Sequence, residues 1–330
     1  MENNRCVCLH CLFDKTKNIK QIKKLLYGKN INLLNDNGLT ILYSAASNGD
    51  LSKVKYLISL GADVNLFGTN GVSPLCVASQ NGHLSIVENL LSSGANINLI
   101  NSHDVLVNDK FINMTPLFIA AQGGHLHILE LLLSSGADIN ILCGDGQSCL
   151  IAACMHNHLP IAELLIKNGA NINILYRNKT ALFIAVQNED FSMANLLIKN
   201  GADVNLFFSK DSIIITPLWI VASIGNLPIA ELLISSGADI NLCGANDKTP
   251  LYVAANNGHF SIAELLIKNG AIPTEEIISL LNSTYCQCGE KSGFTCTGCN
   301  VVKYCSKACQ KKYWKSGHKE ICKKLLINII

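Results

Sequence analysis

The sequence is poor in charge. Only 15% of its 330 residues are Asp, Glu, Lys or Arg, and the formal net charge is +2. A chain with no excess of either sign offers no overall electrostatic footprint for nucleic acid or for a membrane surface. Long apolar runs are missing too. Stretches such as Ile128–Leu133 and Leu325–Ile330 fall far short of a bilayer span. Met1–Asp14 is polar and Cys-rich, without the basic start and apolar run of a signal peptide, so the expected location is intracellular, cytoplasmic or nuclear. Nucleophile motifs, a phosphate-cradling glycine loop and a His-Glu-x-x-His helix are all absent. What the chain does have is apolar residue, 49% of the total, enough to bury a large core.

Cysteine is abundant and uneven. Of fifteen, seven lie between Cys286 and Cys322. In a reducing compartment such clustering reads as metal ligation, not as disulfides. The others are Cys6, Cys8, Cys11, Cys76, Cys143, Cys149, Cys154 and Cys243. Most of these fall inside repeated segments, where cysteine acts as a small apolar residue.

Two phrases recur in step. Gly-Ala-(Asp/Asn)-(Val/Ile)-Asn begins at Gly61, Gly94, Gly136, Gly169, Gly201 and Gly237, with a shortened form at Gly270; the intervals are 33, 42, 33, 32, 36 and 33. The second phrase, (Thr/Ser)-x-Leu, begins at Thr40, Ser73, Thr115, Ser148, Thr180, Thr216 and Thr249. Two phrases with one period mean a solenoid. One unit reads clearly from Thr115 to Asn140. Thr115 caps a helix whose first turn tolerates Pro116. Leu117, Ala120 and Ala121 give that helix a face small enough for close neighbours. Gly123-Gly124 ends it, since glycine takes the left-handed conformation cheaply. Ile128, Leu129, Leu131, Leu132 and Leu133 form the broad apolar face of a second helix. Gly136 ends that helix, and Asp138-Ile139-Asn140 starts an extended turn.

The period, the Thr-Pro-Leu-x-x-Ala-Ala phrase and the Gly-Ala-Asp-Val-Asn phrase resemble the ankyrin repeat over roughly Asn37 to Pro273. The family's usual His after Thr-Pro-Leu is replaced in every unit, by Tyr43, Cys76, Phe118, Ile151, Phe183, Trp219 and Tyr252. Apolar stacking is therefore expected in place of that residue's hydrogen bond to the adjacent turn. Upstream, Gly28, Ile22, Leu25 and Leu26 match the end of a unit, so Asp14 to Asn35 reads as a degenerate first repeat. Its Lys15, Lys17, Lys20, Lys23 and Lys24 suit a solvent-facing end. The longer intervals imply insertions around 101–110 and 206–215, both on the hairpin edge. Each reads either as drift in a surface loop or as a partner contact, the latter most of interest at Phe207-Phe208.

Beyond Pro273 the repeat stops. Thr274-Glu-Glu begins a short helical segment, to about Asn282, that would cover the last repeat. Then come Cys286-x-Cys288, Cys296-x2-Cys299, Cys305-x3-Cys309 and His318-x3-Cys322. Eight ligands make two tetrahedral sets of four, as closed structural zinc sites require, and the Cys/His mix favours zinc over oxygen-loving ions. The spacing, with Val302-Lys303-Tyr304-Cys305-Ser306, Cys309-Gln310 and Trp314, resembles the MYND zinc finger. That resemblance implies interleaved sets: Cys286, Cys288, Cys305 and Cys309 on one zinc, and Cys296, Cys299, His318 and Cys322 on the other. It also implies a groove for short proline-containing peptides, with Gln310 and Trp314 on its wall. One departure is that Gln287 alone separates the first pair, where the family usually has two residues. Residues 286–324 hold nine Lys and two Glu, but seven thiolates outweigh two divalent ions by three charges, leaving about +4 in the zinc-loaded segment.

His83, His125, His158 and His259 recur at one point of the repeat, which makes them architectural. Cys6, Cys8, His10 and Cys11 form a short terminal cluster with no second half. The expected fold is all-α: a solenoid of about seven ankyrin-type repeats behind a degenerate N-terminal cap, with a small double-zinc finger. Its segments are a tail and capping repeat (1–36), the array (37–273), a capping helix and linker (274–285), the finger (286–322) and a tail (323–330). The expected function is a non-enzymatic protein-interaction scaffold. The array binds a protein partner and the zinc finger a proline-containing peptide, with no membrane partner. Two alternatives stand beside it. One is a zinc-dependent ubiquitin ligase, disfavoured because the lone His is seventh among the eight ligands. The other is a nucleic-acid binder, disfavoured by the partly cancelled charge.

Overall fold

The computed structural model describes residues 22, 27–28, 30–35, 37–68, 71–100, 114–144, 146–210, 213–282, 294–295 and 303–304. Within them the chain is helical, with fifteen α-helices, one 3-10 turn and two short antiparallel strand pairs. It divides into two compact units, 1–176 and 177–330.

The first unit holds four helix pairs: α1 (Ile41–Ser47) with α2 (Leu51–Ser59), α3 (Pro74–Gln80) with α4 (Leu84–Ser92), α5 (Pro116–Gly123) with α6 (Leu126–Ser134), and α7 (Cys149–Met155) with α8 (Leu159–Lys167). The second holds three more: α9 (Ala181–Gln187) with α10 (Phe191–Lys199), α11 (Pro217–Ile224) with α12 (Leu227–Ser235), and α13 (Pro250–Asn256) with α14 (Phe260–Lys268). It adds α15 (Glu275–Asn282). Within each unit first helices pack on first helices and second on second, so each repeat contacts its neighbours, as a solenoid requires.

The sequence explains where the first helix of each pair starts. The hydroxyl of Thr40, Ser73, Thr115, Ser148, Thr180, Thr216 or Thr249 accepts the N–H of the residue three further on, at 3.0–3.2 Å. Most of these hydroxyls are buried, so losing one strands an amide as well as a cap. The small residues of the first helices, Ala45, Ala46, Ala78, Ala120, Ala121, Ala152 and Ala153, are almost fully buried and let neighbouring helices approach closely. Second helices bury the larger stripe, as Ile128, Leu129 and Leu132 do in α6. At the far end of the second unit α15 packs on α13, burying Ile277. Thr274 Oγ1 accepts the Ile277 N–H at 3.4 Å.

The second insertion is more than a loop. Strand β1 (Phe208–Lys210) pairs with β2 (Ile213–Ile215), Phe208 opposite Ile215, so backbone groups that a loop would leave to water satisfy one another. The first insertion lies outside the described residues. Further on, β3 (Phe294–Thr295) pairs with β4 (Lys303–Tyr304).

Candidate functional site

The turn edge of the repeats is held by a ladder the sequence only half announces. In each Gly-Ala-Asp-Val-Asn phrase the first Asp or Asn accepts the backbone N–H of the Asn two residues on, as Asp63 does from Asn65 at 2.9 Å and Asp138 from Asn140 at 2.9 Å. The second Asn reaches forward to the next repeat. Asn32 Oδ1 accepts from Asp63 N at 3.0 Å, Asn65 from Asn96 at 2.8 Å, Asn98 from Asp138 at 2.9 Å and Asn140 from Asn171 at 3.2 Å. Asn205 does the same to Asp239, at 2.8 Å, in the second unit. From the sequence, the Asp-Ile-Asn run predicts the start of a turn. The forward bond of the Asn was visible only as an invariant letter at the repeat period.

The recurring histidines are a second set of links. Nε2 of His83, His125, His158 and His259 lies 2.8–3.1 Å from the carbonyl oxygens of Ser47, Gln80, Gln122 and Ser223, each in the preceding repeat. Each ring sits on a left-handed glycine of that repeat. At Gly225 (φ +99°), an added Cβ would come within 2.5 Å of the His259 ring. Where the same position carries Asp50 or Asp190, the side chain instead caps its own helix. The histidines make no such cap bond, so this position trades a local cap for a link between repeats. Asn226 does both, capping α12 and donating to Glu189 at 3.2 Å.

The position after Thr-Pro-Leu corrects one expectation. Phe118, Ile151 and Phe183 are buried apolar residues there, as stacking requires. At Trp219, however, the bond to the adjacent turn survives: the indole Nε1–H donates to the Lys248 carbonyl at 3.0 Å. Cys76 Sγ makes the weaker equivalent to the Met114 carbonyl at 4.0 Å. A tryptophan is counted as apolar in a pattern, but its one N–H needs a partner when packed. Lys248 in turn lies 3.8 Å from the Tyr252 ring centroid and bonds Glu276 of α15 at 3.2 Å, which raises its pKa through the Glu276 hydrogen bond.

Four thiols are inert by burial. Cys76, Cys143, Cys149 and Cys154 are buried, whereas Cys243 is exposed. Burial pushes the Cys149 thiol far above its usual range and raises Cys143 too, against the opposing hydrogen bonds of Thr115. Phe207 is exposed beside β1. Among the described residues no three His, Cys, Asp or Glu side chains gather as a metal site, and no helix is long and apolar enough to cross a membrane.

The eight expected zinc ligands, Cys286, Cys288, Cys296, Cys299, Cys305, Cys309, His318 and Cys322, lie outside the described residues, as do Gln310, Trp314 and the Cys6–Cys11 cluster. The strand pair β3–β4 immediately precedes Cys296 and Cys305 in sequence.

Comparison with known families bears on both regions. The model for ankyrin repeats (3 copies) matches residues 9–101, 99–176, 117–208 and 209–277. The model for the MYND finger matches residues 284–322. Among curated proteins, ubiquitin carboxyl-terminal hydrolase 19 of Arabidopsis thaliana is 53% identical over 36 residues, and Protein CBFA2T2 of Xenopus laevis is 49% identical over 35. Each stretch covers 11% of this chain and only 5% and 6% of those proteins, so the chain spans a small fraction of the relatives it matches.

Proposed function

The chain belongs to the ankyrin-repeat family and carries a MYND finger, and from that membership we propose that it is a non-enzymatic adaptor whose array holds one protein and whose finger holds a peptide of another. Ankyrin repeats are protein-interaction modules and the MYND finger is a zinc-binding one, and neither is typically catalytic. The observation that carries the non-catalytic reading is the fate of the histidines. The side chains that look most like acid–base groups each hold a backbone carbonyl of the repeat before.

In this reading the finger holds two structural zinc ions. The donor set fits them: seven thiols and one imidazole, in short-spaced pairs, with no carboxylate among them. Cys286, Cys288, Cys305 and Cys309 take one ion, and Cys296, Cys299, His318 and Cys322 the other. Bound zinc supplies Lewis-acidic cross-links that replace the apolar core so short a segment lacks. Gln310 and Trp314 wall the groove for a proline-containing peptide. Two modest contacts on one chain then give avidity without new chemistry. The adaptor works in the cytoplasm or nucleus.

Three measurements on the purified chain test this. Elemental analysis should return two zinc ions per chain. A proline-containing peptide should bind the whole chain and lose binding on Trp314→Ala at unchanged zinc content. A ubiquitin-discharge assay should show no activity; activity abolished by a chelator would replace the adaptor with a ligase.

A further inference from the structure

Two second helices carry one and the same run of residues in different surroundings. Ile-Ala-Glu-Leu-Leu-Ile-Lys occurs at Ile161–Lys167 in α8 and again at Ile262–Lys268 in α14. In α8, Glu163 is exposed and Ile166 half-buried; in α14, Glu264 is half-buried and Ile267 only 4% exposed. Residues three apart lie side by side on a helix, so one face of α14 is covered that α8 leaves open. The remaining second helices side with α8. At the place of Ile267, Ile58, Leu91, Leu133, Ile198 and Ile234 are all half-buried, and at the place of Glu264, Glu88, Glu130 and Glu231 are all exposed. Lost hydration also raises the pKa of the Glu264 carboxyl. The last repeat of a solenoid lacks a neighbour on one side, so its helices should be the more open ones, not the less.

The cover is more than another ankyrin helix. α2, α4, α6, α10 and α12 each have the next second helix packed on them and still leave this face open. After α14 the chain runs into α15, which packs on α13 as the next first helix would. Beyond Asn282, the end of α15, comes the finger segment. We infer that the finger, residues 286–322, seats on the face of α14 that carries Glu264 and Ile267 and so closes the end of the array. The inference rests on the reading of that segment as a zinc-held unit, since a short segment without an apolar core covers a helix face only when metal folds it. Seated there, the finger is joined to the array by a contact as well as by the chain. The adaptor's two binding surfaces then stand at a set separation, and a pair of partner sites with the matching span gains avidity that other spans do not. α14 packs on α12 and α13 and buries Ile262, Ala263 and Leu266. The seat lies outside those contacts, so the helices of the array form without it.

The test is carboxyl footprinting of the whole chain: a water-soluble carbodiimide couples glycine ethyl ester to accessible carboxylates, and mass spectrometry reads the rate at each Glu. Glu163, in the identical run, and Glu231 are the internal standards. In the zinc-loaded chain Glu264 should be labelled severalfold more slowly than either. After chelation and desalting it should rise to the rate of Glu163, whose own rate stays put, and zinc added back should restore the protection. In the zinc-loaded variant Ile267→Ser, with zinc content unchanged, Glu264 should again label as fast as Glu163. If that variant fails to fold, the chelation series on the wild-type chain decides alone. Two zinc ions per chain with Glu264 labelled as fast as Glu163 overturns the seat and leaves the zinc reading standing; a chain that takes up no zinc overturns both. Protection that survives chelation assigns the cover to something other than the finger, and protection lost on dilution assigns it to a second copy of the chain. Either result overturns the proposal.

Discussion

The repeat array and the finger use the same residue, cysteine, in opposite ways. In the array Cys143 and Cys149 are buried among apolar side chains, and burial keeps their thiols protonated. There sulfur is a small hydrophobe. In residues 286–322 seven cysteines stand in short-spaced pairs among lysines, where a thiolate is the useful form. The array has about 33 residues per repeat and a neighbour to lean on, so its stability comes from shared apolar burial trimmed by histidine and asparagine links. The finger has fewer than forty residues and few apolar ones, so its stability has to come from metal. Burial and ligation are alternative ways to hold a short helical or looped unit, and which one operates decides what disturbs it.

The largest expected break is metal removal. A chelator should take away about 10 kcal/mol or more per ion from the finger, while the helical melting transition of the array is unchanged by circular dichroism. Thiol labelling sharpens this: chelation should expose the finger's cysteines while Cys143 and Cys149 stay protected until the array melts. An array transition that moved with the metal would end the distinction.

Next is the glycine under His259. Gly225→Ala should cost about 2–3 kcal/mol, because the new Cβ meets the imidazole and the backbone is left-handed. Gly136→Ala, with φ +92° but open space around it, should cost only about 1 kcal/mol. Equal losses in chemical denaturation would remove the ring contact from the account of repeat coupling.

A smaller effect belongs to Glu264, whose carboxyl burial pushes up to about 6. The folded state holds this proton more tightly than the unfolded chain. Its stabilising contribution is full below the unfolded value of 4.5 and is lost as pH rises through about 6. Glu264→Gln should therefore raise stability by about 1–2 kcal/mol at pH 7 and by almost nothing at pH 4, read from melting curves at the two pH values. Smallest is Asn89, whose buried Oδ1 has no hydrogen-bond partner among the described residues. Other repeats place Leu131, Leu164, Leu196, Leu232 or Leu265 at this point, so Asn89→Leu should stabilise the array by about 1 kcal/mol.

What the sequence alone determined was whatever repeats or clusters. The helix pairs follow from Thr-Pro-Leu caps and Gly-Ala stops, because capping and left-handed turns are local chemistry. The metal-binding character of 286–322 follows from spacing, because ligands close in sequence can meet without knowledge of the rest. The tertiary structure decided the links between repeats: that Asn140 reaches Asn171, that His259 sits on Gly225, that Trp219 keeps its N–H on the Lys248 carbonyl, and that Leu142 and Leu175 stay half exposed. Each of these depends on an atom some thirty residues away or on how much of a side chain its neighbours cover. A pattern of letters carries the period of such contacts but not their direction, since direction is set only when one turn is laid against the next.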